Sequence, residues 1–260
     1  YLEKYLENGL GKNIHEKIST ILDFFNVKSI EDLRESLVKD VNPAYFRKSG
    51  KFENNPVNLF TWKHMAYDKC AKIPHPKKFQ IDILDDLIEG LNTILYENEQ
   101  TISRIESLMN EYGIRFFLLA NQKGTHIDGF SFWKGTNPSI ALTLRYHKID
   151  ILAFTLMHEI CHVFRHLNPQ DNKNTCITLT DAKDSLEEKE ADTFARMNLI
   201  PARDWQIFKE RNAGVSPYAM ASRIREFAYK HQIHPAIVLG RYQHDFNVFD
   251  NGRGFDRSIN

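Results

Sequence analysis

Apolar positions recur at helical spacing over most of this chain and change to strict alternation in one short central stretch. The first 75 residues read as several short helices, among them Ile14 to Phe25 and, after the turn signal Asn55-Pro56, Leu59 to Ala71. Pro74 and Pro76 punctuate the end of that region, and two further helices follow at Ile81 to Tyr96 and Thr101 to Tyr112. The period then shortens. Ile114 to Leu119, the segment around Phe130 to Trp133, and Ser139 to Tyr146 read as strands, with Gly135-Thr136-Asn137-Pro138 turning between the last two. In the third strand Ile140, Leu142 and Leu144 alternate with Ala141, Thr143 and Arg145, as on a half-buried sheet. Helical spacing resumes at Asp150 to Leu167, which contains no Gly or Pro and carries an apolar stripe of Ala153, Leu156, Ile160, Val163, Phe164 and Leu167. An acidic helix begins at Ser185. The segments Pro201 to Arg211, Pro217 to His231 and Pro235 to Phe246 each open on a proline, the residue best tolerated in a first helical turn. The pattern predicts an α+β fold, predominantly helical, with a small sheet next to the Asp150–Leu167 helix. It divides into a helical N-terminal region, residues 1–75, and a second domain, residues 76–260.

Composition narrows the class. Apolar residues make up 42% of 260, enough for a sizeable core, while a net charge of zero and a pI near 7.3 are not those of a nucleic-acid or acidic-membrane binder. The basic runs Arg47-Lys48-Ser49-Gly50-Lys51 and Lys77-Lys78 lack interleaved aromatics and read as solvated surface. Three cysteines, Cys70, Cys161 and Cys176, form no paired spacing, so disulfides are not implied and the expected compartment is the reducing cytoplasm. No apolar run approaches the roughly 18 residues of a membrane span.

The chemistry is concentrated in His158-Glu159-Ile160-Cys161-His162. An H-E-x-x-H on a helix sets its two histidines about 40° apart on one face, where both imidazoles can meet one metal ion. Glu159 projects about 100° to the side of His158, placed to deprotonate a water that the metal activates and to return the proton to a leaving amine. Cys161, beside a ligand, reads as a small packed residue, and His166 lies one turn after His162 without being needed.

A catalytic metal of this type takes three protein ligands, and two histidines with a carboxylate are a standard set for zinc. Mn, Co or Fe also suit such a nitrogen and oxygen set. The acidic helix Ser185 to Ala195 offers three glutamates. Glu188, Asp192, Ala195 and Leu199 share one stripe, acidic at its start and apolar at its end, which selects Glu188 as third ligand. Glu187 and Glu190 turn away from it towards water. Asp192, one turn beyond Glu188, is placed to accept the free N–H of a liganding histidine. A competing reading remains at this level: Ser185-x-x-Glu188 is also a capping box, in which the glutamate only closes the first turn of its helix.

These residues resemble the ImmA/IrrE metallopeptidases. The likeness runs through Phe154 to His162, Glu187 to Ala195 and Leu199-Ile200-Pro201, with further matching segments at Phe24 to Ser29, Phe46 to Phe52, Leu142 to Tyr146 and His234 to His244. It is strongest to members fused behind an XRE-type helix-turn-helix, the antitoxin-like regulators. The resemblance implies a zincin-like domain over residues 76–260, zinc on His158, His162 and Glu188, Glu159 as general base, and Asp192 behind a histidine in the gluzincin manner. The chain starts at Tyr1 with no helix-turn-helix before it, so contact with DNA is expected only through such a missing N-terminal domain. In zincin-like peptidases a strand edge beside the metal commonly holds an extended substrate, which makes Leu142, Thr143, Leu144, Arg145 and Tyr146 candidate substrate-binding residues; the same hairpin is equally read as purely structural.

The expected function is that of a zinc-dependent endopeptidase. The resemblance implies a protein substrate, a helix-turn-helix repressor or antitoxin, cut to release stress, mobile-element or defence genes. Two other readings stand beside it: an antitoxin-like or sensor module that keeps the zinc fold with little proteolysis, and a small metallohydrolase acting on non-peptide substrates. His231, His234, His244, Arg241, Tyr146 and His147 could each polarise a scissile carbonyl, and nothing in the sequence chooses among them.

Overall fold

A computed structural model of the chain describes residues 2–40, 55–74, 77–168, 170, 175–179, 185–248 and 254–260. The run Arg47 to Lys51, the segment Phe46 to Phe52 and the expected domain division at residue 75 lie outside the described residues.

Helices α1 (Leu2–Tyr5), α2 (Ile14–Phe25), α3 (Ile30–Asp40) and α4 (Pro56–Lys72) come first. Their starts are chemically marked. Asn13 accepts the N–H of Glu16 at 2.9 Å, and Asn55 accepts those of Val57 and Asn58 just before Pro56. A 3-10 turn at Ile81–Ile83 leads into α5 (Leu84–Glu97), which is followed by α6 (Thr101–Glu111). The sheet has four strands, β1 (Arg115–Leu118), β2 (Ile127–Lys134), β3 (Asn137–Leu142) and β4 (Thr175–Leu179), in the order β1-β3-β2-β4. β3 runs parallel to β1 and antiparallel to β2, and β2 is antiparallel to β4.

The sheet is covered on both faces. Leu59, Trp62, Met65, Ala66 and Cys70 of α4 pack on Phe117, Ile127, Phe130, Phe132 and Ala141. Trp62, Phe130 and Phe132 are fully buried there, and each such side chain contributes about 1.5–3 kcal/mol. Phe116, Ile140 and Leu142 face the other way, towards α7 (Ile149–Cys161). Around α7 stand α8 (Leu186–Leu199), α9 (Ala202–Arg211), α10 (Pro217–His231) and α11 (Pro235–Asp245), whose apolar residues complete one large core with those of α5 and α6. The fold is therefore α+β and predominantly helical, with the small sheet against the helix that carries H-E-x-x-H. Among the described residues no helix is long and apolar enough to cross a membrane.

Three local features add to or correct the expectations. First, the strand expected around Phe130 to Trp133 is present and extends back to Ile127, with a register shift against β4 between Ile127 and Gly129 that inserts an extra residue. This bulge puts Ile127 and Phe130, three apart, on one face and breaks the alternation that a strand pattern needs. Second, β3 ends at Leu142 and not at Tyr146. The N–H of Arg145 turns back to the carbonyl of Thr143 at 2.9 Å, which takes Leu144, Arg145 and Tyr146 out of the ladder. Third, the hairpin is not an edge. β3 lies between β1 and β2, Leu142 pairs with Leu118 on one side and Gly129 on the other, and the N–H of Thr143 is spent on Asp128. Among the described residues the edges are β1 and β4.

Candidate metal centre

α7 has more than a stripe to bury. Ile149, Leu152, Ala153, Leu156, Met157, Ile160 and Cys161 are fully inaccessible, and so are Glu159 and His162; His158 is only slightly exposed. Polar groups at such depth demand partners or a function. At His162 the helix widens into a π-turn, His162–His166, closed by the N–H of Leu167 on the carbonyl of His162 at 2.9 Å.

The Nε2 atoms of His158 and His162 lie 3.0 Å apart, and Glu188 on α8 closes the triangle with Oε2 3.2 Å from His158 Nε2 and Oε1 3.3 Å from His162 Nε2. A cation held at about 2.0–2.1 Å in a tetrahedral arrangement separates its ligand atoms by about 3.3 Å. The three side chains fit such an ion. Ser185 accepts the N–H of Glu188 at 3.2 Å, so the cap exists, but the Glu188 carboxylate reaches the histidines instead of closing the box.

Behind the triangle Asp192 Oδ1 sits 3.0 Å from His158 Nδ1. The Nδ1–H donates to the carboxylate, which aims Nε2 at the centre, the nitrogen that would be left free for a metal once it gives up its own proton. The electrostatics point the same way. Burial alone would lower the His158 pKa, yet its hydrogen bonds to Asp192 and Glu188 and the charges of Glu159 and Glu188 push it up to about 10. Burial alone would raise Glu188, whereas its bonds with the two histidines pull it down to about 2. Both shifts express one attraction: the cluster favours a positive charge at its centre. The Cys161 thiol is pushed up to about 12, chiefly by burial, and stays neutral.

Glu159 is oriented from the sheet. Ser131 on β2 donates its hydroxyl to Glu159 Oε2 at 2.5 Å, and Gly129 leaves room for the carboxylate. Glu159 Oε1 is buried and has no hydrogen-bond partner among the described residues. A buried carboxylate oxygen with nothing to accept is costly unless its partner is a reactant.

The structure thus brings together His158, Glu159, His162, Glu188 and Asp192. Leu142 and Thr143 are buried in the sheet, Leu144 and Arg145 are half-buried beyond its end, and Tyr146 is exposed. His234 caps α11 by accepting the N–H of Ala236, and His231 packs against Phe227. Arg241 bonds Asp245 and, with His244 and Arg196, lines a recess between α7, α8 and α11 that begins at Asp192. Ser131, Gly129, Cys176 and Glu190 were not singled out for the site by sequence. Glu190, expected to face water, is half-exposed but bonds Arg165 and His166.

A family model for the IrrE N-terminal-like domain, of peptidase family M78, matches residues 109–215, the span that contains the sheet, both site helices and α9. No curated protein and no solved structure matches the chain. The match identifies residues 109–215 as an IrrE N-terminal-like domain of the M78 peptidase type, in agreement with the resemblance to the ImmA/IrrE peptidases over that span.

Proposed function

We propose that the chain is a zinc-dependent endopeptidase with His158, His162 and Glu188 as ligands and Glu159 as general base. Two observations carry this together: two histidines and a glutamate spaced for one ion, and, adjacent to His158 on the same helix and acting on it by charge, Glu159 with a buried carboxylate oxygen that has no hydrogen-bond partner among the described residues. Zinc bound there would polarise the scissile carbonyl and lower the pKa of water. Glu159 Oε1 takes the proton of the attacking water and returns it to the departing amine. Ser131 holds the other oxygen so that Oε1 does not rotate away, and Asp192 keeps the His158 proton on Nδ1. A protein substrate, such as a helix-turn-helix repressor or antitoxin, and a cytoplasmic setting follow from the family resemblance. The geometric support for a polypeptide strand is the β4 edge, whose Cys176 touches His162.

The test has two arms. Elemental analysis after zinc loading should find about one zinc per chain in the wild type and in Glu159→Gln, and none in Glu188→Ala. A peptide library incubated with the zinc-loaded wild type should acquire new amino termini that Glu159→Gln does not produce. A wild type that takes up no zinc overturns the reading; one that binds zinc without cleaving is a binding module.

A further inference from the structure

Each liganding histidine has a second ring nitrogen that needs a partner. For His158 that partner is Asp192. For His162 there is no carboxylate among the described residues: its Nδ1 lies 2.8 Å from Nδ1 of His166. His166 Nε2 in turn lies 3.2 Å from Glu190 Oε2, and Glu190 Oε1 lies 2.8 Å from an Arg165 guanidinium nitrogen.

Two imidazole nitrogens at that separation repel unless exactly one proton lies between them. The rest of the site decides which ring owns it. His162 Nε2 points at His158 Nε2 and Glu188, and it can serve a metal only if it is bare. The proton of a neutral His162 therefore sits on Nδ1 and is donated to His166 Nδ1. His166 then carries its own proton on Nε2, where the Glu190 carboxylate accepts it, and Arg165 holds that carboxylate in place. A single choice of tautomers satisfies the three contacts just named, His162 to His166, His166 to Glu190 and Glu190 to Arg165. The opposite choice leaves a proton on His162 Nε2 and removes the residue from the ligand set.

We propose that His166 and Glu190 are positioning residues for the metal centre, a relay that fixes the tautomer and ring plane of His162 as Asp192 does for His158. This rests on the reading of His158, His162 and Glu188 as a metal site. The π-turn gives the relay its place: the turn closes on the carbonyl of His162 and includes His166, whose ring lies against the far side of the ligand ring, centroid to centroid 4.9 Å. One rival is present. Cys176 Sγ lies 3.1 Å from the same His162 Nδ1, but a thiol sulfur is a weak acceptor and His166 is closer.

The experiment measures the zinc dissociation constant by competition with a chromogenic chelator for wild type, His166→Ala, His166→Asn, Glu190→Ala and Cys176→Ala. Unfolding midpoints of the chelator-treated proteins verify folding, and the visible absorption of the cobalt-substituted forms reports ligand geometry. His166→Ala should weaken zinc about 10–100-fold and alter the cobalt bands, the usual cost of losing a partner behind a ligand. His166→Asn sets a carbonyl oxygen where Nδ1 was and should recover most of that loss. Glu190→Ala should weaken zinc as well, by less, and Cys176→Ala should not. The relay is overturned if folded His166→Ala binds zinc like the wild type, if His166→Ala and His166→Asn lose equally, or if Cys176→Ala is the variant that weakens. If His166→Ala does not fold, His166→Asn and Glu190→Ala decide. A wild type that binds no zinc defeats the metal reading itself and the relay with it, an outcome visible before any variant is compared.

Discussion

Gly129 and Glu159 share one space: a Cβ on Gly129 would stand 2.1 Å from Glu159 Oε1 and 2.5 Å from its Cδ. The glycine lies at the bulge of β2, buried under α7, and its missing side chain is the volume that the carboxylate occupies. Gly129→Ala should therefore displace Glu159 while leaving His158, His162 and Glu188 on their own helices. The expected outcome is a normal zinc content with peptide cleavage reduced about 100-fold or more, the scale of a lost general base. Zinc analysis beside a cleavage assay checks it, and cleavage at the wild-type rate would mean that the carboxylate does not act from this position.

Ser131 holds the same carboxylate from its other side. Ser131→Ala removes a hydroxyl that is inaccessible to solvent and frees Glu159 to rotate. Catalysis should drop about tenfold through kcat with KM unchanged, as for a group that matters only when the proton moves. Zinc affinity should stay constant. An effect on KM alone would show instead that Ser131 shapes substrate binding.

In the metal-free protein the ligand cluster should impose a pH optimum on stability. His158 holds its proton up to about 10 when folded and to 6.5 ordinarily, so its contribution is fully present below pH 6.5 and disappears as pH rises through about 10. Glu188 stays ionised down to about 2 against an ordinary 4.5, so its contribution is complete above pH 4.5 and is lost as pH falls through about 2. Chelator-treated protein should be most resistant to heat, as far as this pair decides, between pH 4.5 and 6.5 and should weaken steadily towards pH 10. Each kcal/mol lost lowers the midpoint by about 2–4 °C in a chain of this size. Melting curves across that range in the presence of chelator are the check; a midpoint that climbs from pH 6.5 to 9 in the wild type but not in Glu188→Ala would contradict it.

What the sequence could disclose follows from how local each feature is. Helices such as α2, α4, α10 and α11 announce themselves through Asn13, Asn55-Pro56, Ser216-Pro217 and His234-Pro235, because a cap is made within three residues of its helix. Glu188 and Asp192 stand one turn apart on α8, so their shared face was legible from spacing, as was that of His158 and His162. The strand contribution was not. Gly129, Ser131 and Cys176 reach the site only because the sheet stacks under α7, a contact between residues distant in sequence. The alternation from Ser139 to Tyr146 suggested a longer strand than the chain makes, because the turn at Thr143 leaves no pattern of apolar residues. Nor does alternation reveal whether a strand lies at an edge or, like β3, between two neighbours.

The far end of α7 is anchored by Arg257, two turns and more from the histidines. Its guanidinium grips the Asp150 carboxylate with two nitrogens, Nε at 3.0 Å from Oδ1 and Nη2 on Oδ2, and its carbonyl accepts the N–H of Ile149 at 2.8 Å. Asp150 is nearly inaccessible and lies in the first turn, where a negative charge also suits the helix dipole. Arg257→Ala leaves that buried carboxylate without its cation, which costs about 3–5 kcal/mol. At about 2–4 °C per kcal/mol the unfolding midpoint of the chelator-treated protein should fall by roughly 6–20 °C. Asp150→Asn combined with Arg257→Ala should recover part of this, because the uncompensated charge is gone. Zinc affinity of the folded single variant should change little, since His158 is eight residues further on, about 12 Å along the axis. If the midpoint falls by only a degree or two, water reaches Asp150 and the pair contributes no more than a surface bridge. If zinc affinity falls as far as it does in His166→Ala, the anchor sets the register of the whole helix against α8, and the metal centre depends on both ends of α7.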